Sequence, residues 1–229
     1  MDQQTPAAFA DPAYTDAVID LLGVIGYGQI SAFERLAEDA TMAPDLEDKI
    51  ALATMASREM GHLHGLIERL EELGADPYAA MAPFRAPLDA FHAHTAPRDW
   101  WEGLVKAYVG DALAKDFYRE IGAFLDTGTR ELIVDTLADS GHAEFVVDRV
   151  TKAIAVDPRL GGRLALWGRR LMGEALTQAQ RVAAERDSLT ALMSGGVDRP
   201  GLDLAAAARM FARLTERHAE RMAELGLDS

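Results

Sequence analysis

The sequence repeats an acid-x-x-His pair on two segments that have the composition of helices. Glu59 is followed by His62, and Asp139 is followed by His142 with the same spacing. Residues three apart on an α-helix lie on one face, one turn apart, so each pair can offer a carboxylate and an imidazole to one metal ion. A single pair of this kind occurs by chance on many amphipathic helices. Its repetition in two helical hairpins predicts a two-fold metal site inside a bundle.

The prolines indicate where the helices begin and end. They stand at the edges of long segments rich in Ala, Leu, Glu and Arg, in which apolar residues recur every three or four positions. This period is typical of α-helices, and no segment alternates apolar and polar residues as a half-buried strand would. The sequence therefore predicts an all-α protein with helices at 13–41, 46–73, 98–124, 129–156, 159–194 and 202–225.

Connection lengths predict how these helices are arranged. The joins around Pro44 and Gly128 are short, which makes the first two helices antiparallel neighbours and the next two likewise. The segment 74–97 can run the length of a bundle, at about 3.3 Å per extended residue. Two antiparallel hairpins with one long crossover form the ferritin-like four-helix bundle.

We therefore expect one ferritin-like domain over residues 1–229. Its four-helix core would occupy about 13–156. Two additional C-terminal helices, at about 159–225, would cover this core or form the contact of a homodimer.

Level and face select the remaining ligands. In a bundle site of this kind the other two helices each give one carboxylate. Asp111 lies at the level of the second acid-x-x-His pair and within the apolar stripe of its helix, whereas Asp116 shares a flank with charged residues and is expected on the surface. On the first helix the inward residue at the right level is Gln29, and the nearest acid, Glu34, falls on the polar side. This position stays open between Gln29 and Glu34.

The predicted metal ligands are thus Glu59, His62, Asp111, Asp139 and His142, with Gln29 or Glu34 in the helix-1 position. Burial of these groups costs free energy unless a cation compensates, although a hydrogen-bonded core cluster is the simpler alternative. Oxygen and nitrogen donors without sulfur suit iron, or manganese, better than a structural zinc site. Tyr118, two turns from Asp111 on the same face, would lie next to the ligands or serve as an ordinary core tyrosine.

Composition restricts the classes of partner. The formal charge of −14 disfavours tRNA and other nucleic acids, because their binders neutralise phosphates with clustered Lys and Arg. The absence of cysteine excludes disulfides and thiol catalysis and matches a reducing cytoplasm. No signal peptide is visible, and no apolar run reaches the ~18–20 residues of a membrane span. We expect a cytoplasmic protein without a membrane segment.

Several segments resemble the actinobacterial ferritin-like proteins grouped with the tRNA isopentenyladenosine hydroxylases, the MiaE-like group. They are the runs at 27–39, 59–62, 81–84 and 108–111, and the resemblance covers about 15–225. It implies a ferritin-like fold, a non-haem di-iron centre with two irons per chain, and oxygen-dependent hydroxylation. Two positions depart from the pattern. Gln29 stands where the group often has a glutamate, and Asp139 is one methylene shorter than glutamate.

Two classes of function follow. A di-iron hydroxylase or monooxygenase would oxidise a C–H bond of a small-molecule or modified-nucleoside substrate. It would need an external electron donor, because the chain has no cysteine to form an internal redox centre. The alternative is a non-catalytic metal-binding protein, or a degenerate ferritin-like scaffold that acts through partner binding. Gln29 in a ligand position is the feature that favours a degenerate site.

Overall fold

The structure is a computed structural model that describes residues 11–122, 124–136, 142–194 and 204–227. No β-strand occurs within these ranges, and nearly all of their residues are helical. The predicted all-α class is therefore confirmed.

The first hairpin consists of α1 (Pro12–Asp39) and α2 (Leu46–Glu72), joined by a 3₁₀ turn at Ala40–Met42. The two helices pack together along their lengths. The carboxylate of Asp45 accepts a hydrogen bond from the Asp48 amide at 2.9 Å and so caps α2, as its position before the apolar pattern predicts.

The crossover is helical rather than extended. It contains α3 (Pro77–Met81), a 3₁₀ turn (Ala82–Phe84) and α4 (Arg85–His94). Asp76 caps α3 through the Tyr78 amide at 3.0 Å, and Pro77 supplies the fixed backbone angle of a first helical turn. The apolar side of this segment packs on α1, which explains why a proline-rich connection folds into short helices.

The second hairpin begins with α5 (Trp100–Gly122). The predicted single helix at 129–156 is described as α6 (Thr127–Thr136) and α7 (His142–Val156), with 137–141 outside the described residues. Asp126 caps α6 by accepting from the Thr129 amide at 3.0 Å.

The C-terminal segment forms α8 (Pro158–Glu185), α9 (Asp187–Ser194) and α10 (Leu204–Glu224). The single helix predicted over 159–194 is interrupted at Arg186, whose backbone is not helical (φ −130°, ψ 86°) and whose guanidinium pairs with Asp20 of α1. This ion pair anchors the start of α9 on α1. Helix α8 packs on α4 and α5, and α10 packs on α5, so these helices cover the bundle.

The described residues form three buried apolar clusters; two lie along the bundle, and a third, smaller one on α8 and α10 packs against Leu113 and Phe117 of α5. The first cluster includes Leu36, Ala56, Leu104, Val109 and Val150. The second cluster includes Ile25, Leu63, Leu66, Ile121 and Ile133. On α1, α2 and α5 the buried residues of one of these two clusters end before those of the other begin, which leaves a layer at mid-bundle without buried residues of either cluster.

One helical stretch of the described residues, Pro12–Met42, is long and apolar enough to cross a membrane by length and composition. Over half of its most apolar window, 56%, is buried inside the protein. The central helix of a bundle meets the same criterion, and the partners of α1 account for its apolar surface.

We expect Gly23→Ala to destabilise the fold by about 1–3 kcal/mol. A methyl group on Gly23 would overlap the carbonyl oxygen of Ala80 and lie 3.1 Å from a ring carbon of Phe84. Backbone cannot move aside as a flexible side chain can. The matched control is Gly173→Ala on α8, where a methyl meets no atom within 4 Å and helix propensity should add about 0.5–1 kcal/mol. Urea denaturation measures both changes, and equal stabilities would contradict the close α1–α3 approach.

Candidate metal centre

Four polar side chains occupy the layer between the two apolar clusters. They are Gln29 of α1, Glu59 of α2, and Asp111 and Lys115 of α5. We call this group the middle layer. Glu59 and Asp111 are predicted metal ligands and Gln29 is a candidate for the helix-1 position, whereas Lys115 was not predicted from the sequence.

Glu59 and Gln29 are in direct contact. With its nitrogen turned toward α2, the Gln29 amide donates to Glu59 Oε2 at 2.6 Å and to the Glu59 carbonyl oxygen at 3.2 Å. Both side chains are buried. Burial, and then the nearby Asp111 carboxylate, raise the pKa of Glu59 to about 7, while the Lys115 ammonium acts in the opposite direction. The site is thus short of positive charge even with Lys115 present.

Asp111 is neutralised by a residue of its own helix. Lys115 Nζ lies 2.7 Å from Asp111 Oδ2, and the Lys115 side chain is only 12% exposed. The i,i+4 spacing of an acid and a lysine is the signal that could have found this pair in the sequence. The ammonium therefore supplies a positive charge to this carboxylate without a metal ion.

His62 supplies the imidazole of the first predicted pair. Its Nδ1 is buried, and no hydrogen-bond partner for it exists among the described residues. A buried ring nitrogen without a protein partner is free to bind a metal ion.

The second predicted pair lies at the boundary of the described residues. Asp139 lies outside the described residues, and His142, at the start of α7, is described only by its backbone. Within the part of the chain that the structure describes, no three His, Asp or Glu side chains are grouped so as to hold a metal ion. Glu59, His62 and Asp111 all lie among these described residues but do not by themselves form such a group.

The two candidates for the helix-1 position lie in different environments. Gln29 contacts Glu59 inside the bundle. The side chain of Glu34 is about half exposed and lies 3.8 Å from Arg35, which itself pairs with Glu38. Gln29 is therefore the residue that α1 contributes to the middle layer.

Tyr118 lies at the edge of the middle layer. Its hydroxyl oxygen is 4.0 Å from the point where a Cβ on Gly28 would stand, next to Gln29. Burial raises the pKa of the Tyr118 phenol well above its ordinary value, so the group stays protonated. The ring also lines an apolar cavity of about 230 Å³ between α1, α4, α5 and α8. The middle layer and this cavity thus adjoin through Tyr118.

The donor atoms fit a metal ion of the iron or manganese type. The Asp111 carboxylate lies close enough to Glu59 to raise the pKa of Glu59, and one buried imidazole nitrogen has no partner among the described residues. Oxygen and nitrogen donors of this kind suit hard or borderline divalent cations. Lys115 is a competing cation, and its flexible stem allows it to leave Asp111.

Asp116, which the sequence predicts on the surface, is buried. It is 1% exposed and pairs with Arg221 of α10 at 2.6 Å. His218, also on α10, is 5% exposed, and burial together with Arg221 lowers its pKa. The expectation for Asp116 was wrong because the packing of α10 on α5 is a long-range contact that a helical period does not reveal.

A second group of buried charges lies where α1 ends. Burial raises the pKa of Asp39 to about 6 and lowers the pKa of Lys106 to about 8. Lys106 Nζ donates to the Thr95 carbonyl oxygen at 2.8 Å and lies 5.8 Å from the centre of the Phe91 ring. These contacts tie α5 to the end of the crossover and serve the fold.

The comparisons with known proteins agree with this architecture. The profile of one family, described as a ferritin-like domain of actinomycetes, matches residues 12–196. That range contains α1 to α9 and the whole middle layer. None of the curated proteins compared with the chain matches it. A match over this share of the chain, together with the helical bundle, shows that the protein belongs to the actinomycete ferritin-like domain family.

Proposed function

We propose that the protein is a cytoplasmic non-haem iron oxidase that uses the middle of the bundle to hydroxylate a small molecule. The observation that carries this proposal is the interruption of the apolar core by the buried carboxylate of Glu59 and the partly exposed carboxylate of Asp111, together with a buried His62 ring nitrogen that has no hydrogen-bond partner among the described residues. Buried polar groups lower the stability of the fold unless they are hydrogen-bonded, paired with an opposite charge or bound to a metal ion. The family membership supports a bundle that can carry a di-iron centre.

Glu59, His62 and Asp111 would hold iron together with Asp139 and His142. Manganese is the alternative ion for the same donors. Bound iron would supply the reduction of dioxygen. Lys115 would leave Asp111 when the metal binds, so the site exchanges one cation for another. Gln29 brings an amide and no charge, which makes its side of a two-iron site the weaker one.

The reaction class is the hydroxylation of a C–H bond. Dioxygen, two electrons and two protons convert C–H to C–OH and release one water. The electrons come from an external donor, because the chain has no cysteine. The protonated Tyr118 hydroxyl, between the middle layer and the cavity, can donate a hydrogen bond but not serve as a base. A MiaE-like activity fits this chemistry, but the charge of −14 argues against tRNA as the substrate.

The test is dioxygen uptake by protein loaded anaerobically with ferrous iron and supplied with a reductant. We expect uptake above that of the same free iron, and its loss in Glu59→Gln, which keeps the size of the side chain and removes its charge. Uptake equal to free iron in the wild-type protein would contradict the proposal. Arg58→Gln, on the neighbouring exposed face of α2, is the control.

A second candidate has its own observation. Lys115 pairs with Asp111, and Gln29 donates to Glu59, so both carboxylates have partners without a metal. In a degenerate scaffold that acts through partner binding, we expect the former ligand carboxylates to be paired with protein groups in this way. In that case Glu59→Gln would alter the stability of the protein but leave its metal content unchanged.

A further inference from the structure

The cavity beside the middle layer has an almost wholly apolar lining. Its volume is about 230 Å³, and side chains of α1, α4, α5, α8, α9 and α10 enclose it. Among them are Leu21, Pro87, Phe91, Phe117, Met172 and Leu189. An apolar cavity with few polar groups is typical of a small-molecule site.

One polar group in this lining lacks a partner. Gln178 of α8 is 9% exposed, and its side-chain oxygen has no hydrogen-bond partner among the described residues. Its side-chain nitrogen donates to Glu174 Oε1 at 2.8 Å. Because this bond and a second one from His94 lower the pKa of Glu174, the carboxylate is ionised and can only accept. The orientation of the Gln178 amide is thereby fixed, with Oε1 left as an acceptor.

Because Gln178 Oε1 can only accept a hydrogen bond, it favours a ligand that carries a donor group and no negative charge. A hydroxyl or N–H group can satisfy Gln178 Oε1. A ligand carboxylate would instead approach this oxygen and the ionised Glu174 behind it, and would be repelled. An ether or a hydrocarbon would leave the oxygen unsatisfied.

The cavity also runs along α5 near Asp111. Gly110 and Ala114 belong to its lining and flank Asp111 on α5, and neither has a bulky side chain. A Cβ on Gly110 would meet no atom within 4 Å, so this side is open. A ligand anchored at Gln178 can therefore extend its apolar part toward α5.

We propose that this cavity binds a neutral, mostly apolar molecule through one hydroxyl or N–H group donated to Gln178 Oε1. A cavity of about 150 Å³ holds benzene, so this one accommodates on the order of ten non-hydrogen atoms, the size of a medium-chain or aromatic alcohol. The assignment of this ligand class as the substrate rests on the proposed oxidase function. Binding itself requires no metal.

The test uses metal-free protein and three chemical probes of equal length. These are 1-octanol, its ether isomer 1-methoxyheptane, and octanoate, each measured by displacement of an apolar fluorescent dye. We expect 1-octanol to bind roughly three- to tenfold more tightly than the ether, the range of one hydrogen bond, and octanoate to bind most weakly. Equal binding of all three probes, or binding of none, would overturn the proposal.

Variants on α8 separate recognition from folding. Gln178→Leu keeps the size of the side chain and removes the acceptor, so the preference for 1-octanol over the ether should disappear while both still bind. Gln180→Leu, on the exposed side of the same helix, should keep the preference. A preference that survives Gln178→Leu would also overturn the proposal. Because no iron is present, this result is independent of dioxygen uptake, and either proposal can fail alone.

Discussion

Replacing Asp116 by asparagine is expected to lower the free energy of unfolding by about 3 kcal/mol. The side chain is 1% exposed and lies 2.6 Å from Arg221 and 3.7 Å from Arg217, both on α10. Arg119 of its own helix is a third partner, at 3.2 Å. Asparagine removes the negative charge that these three guanidinium groups share, so they remain close together at a buried position without that partner. We expect the low end of the range for broken buried pairs because two of the arginines are 36% and 55% exposed.

Urea denaturation measures this loss, and limited proteolysis shows whether α10 is the part that loosens. The control is Asp148→Asn, because Asp148 makes an equally short pair with Lys152, at 2.6 Å, on an exposed surface. That change should cost less than about 1 kcal/mol. If the two variants lose the same small amount, the arginines of α10 do not depend on Asp116 and the account of this contact is wrong.

Replacing Lys115 by methionine is expected to raise the affinity for ferrous iron or manganese by about ten- to a hundredfold. Before a metal can bind to Asp111, it must break the 2.7 Å ion pair with Lys115. Hydrogen bonds to charged groups contribute about 1.5–3 kcal/mol, which gives the expected factor. Methionine has a stem of similar length and no charge, so the packing of this side chain against its neighbours is largely kept.

Isothermal titration with Mn²⁺ measures the affinity without oxidation. Lys152→Met, which removes an exposed ammonium from α7, is the control and should leave the affinity nearly unchanged. An unchanged or weaker affinity in Lys115→Met would mean that the ammonium does not compete with metal, and the middle layer would then be a closed charge cluster.

Local signals predicted the fold well. The short join around residue 44 placed Gln29 opposite Glu59, and the two residues are hydrogen-bonded. Asp45 caps α2 as its residue type suggests. These features depend on helical period and turn length, and both can be recognised from residues that are close together in the sequence.

Contacts between distant segments were not predictable in this way. Arginines recur on one face of α10 at 213, 217 and 221. The residues near them in the sequence do not indicate that their partners are Asp116 and Glu120 of α5. Tyr27 stands 32 residues before Glu59 and Tyr108 stands 31 residues before Asp139, yet the two tyrosines have different partners. Tyr27 donates to Asp89 of the crossover at 2.7 Å, whereas Tyr108 donates to Glu224 of α10 at 2.5 Å. Similar spacing places similar residues at one level but does not give them the same neighbours.

The central claim is that the middle of the bundle binds iron. The most direct measurement is the iron content per chain, by mass spectrometry, of wild-type protein and Glu59→Gln after anaerobic ferrous loading and desalting. The account predicts about one iron or more per wild-type chain and close to none in the variant, because Glu59 is the buried carboxylate of α2 in the site. Wild-type protein that retains no iron, or a variant that retains as much as the wild type, would contradict it.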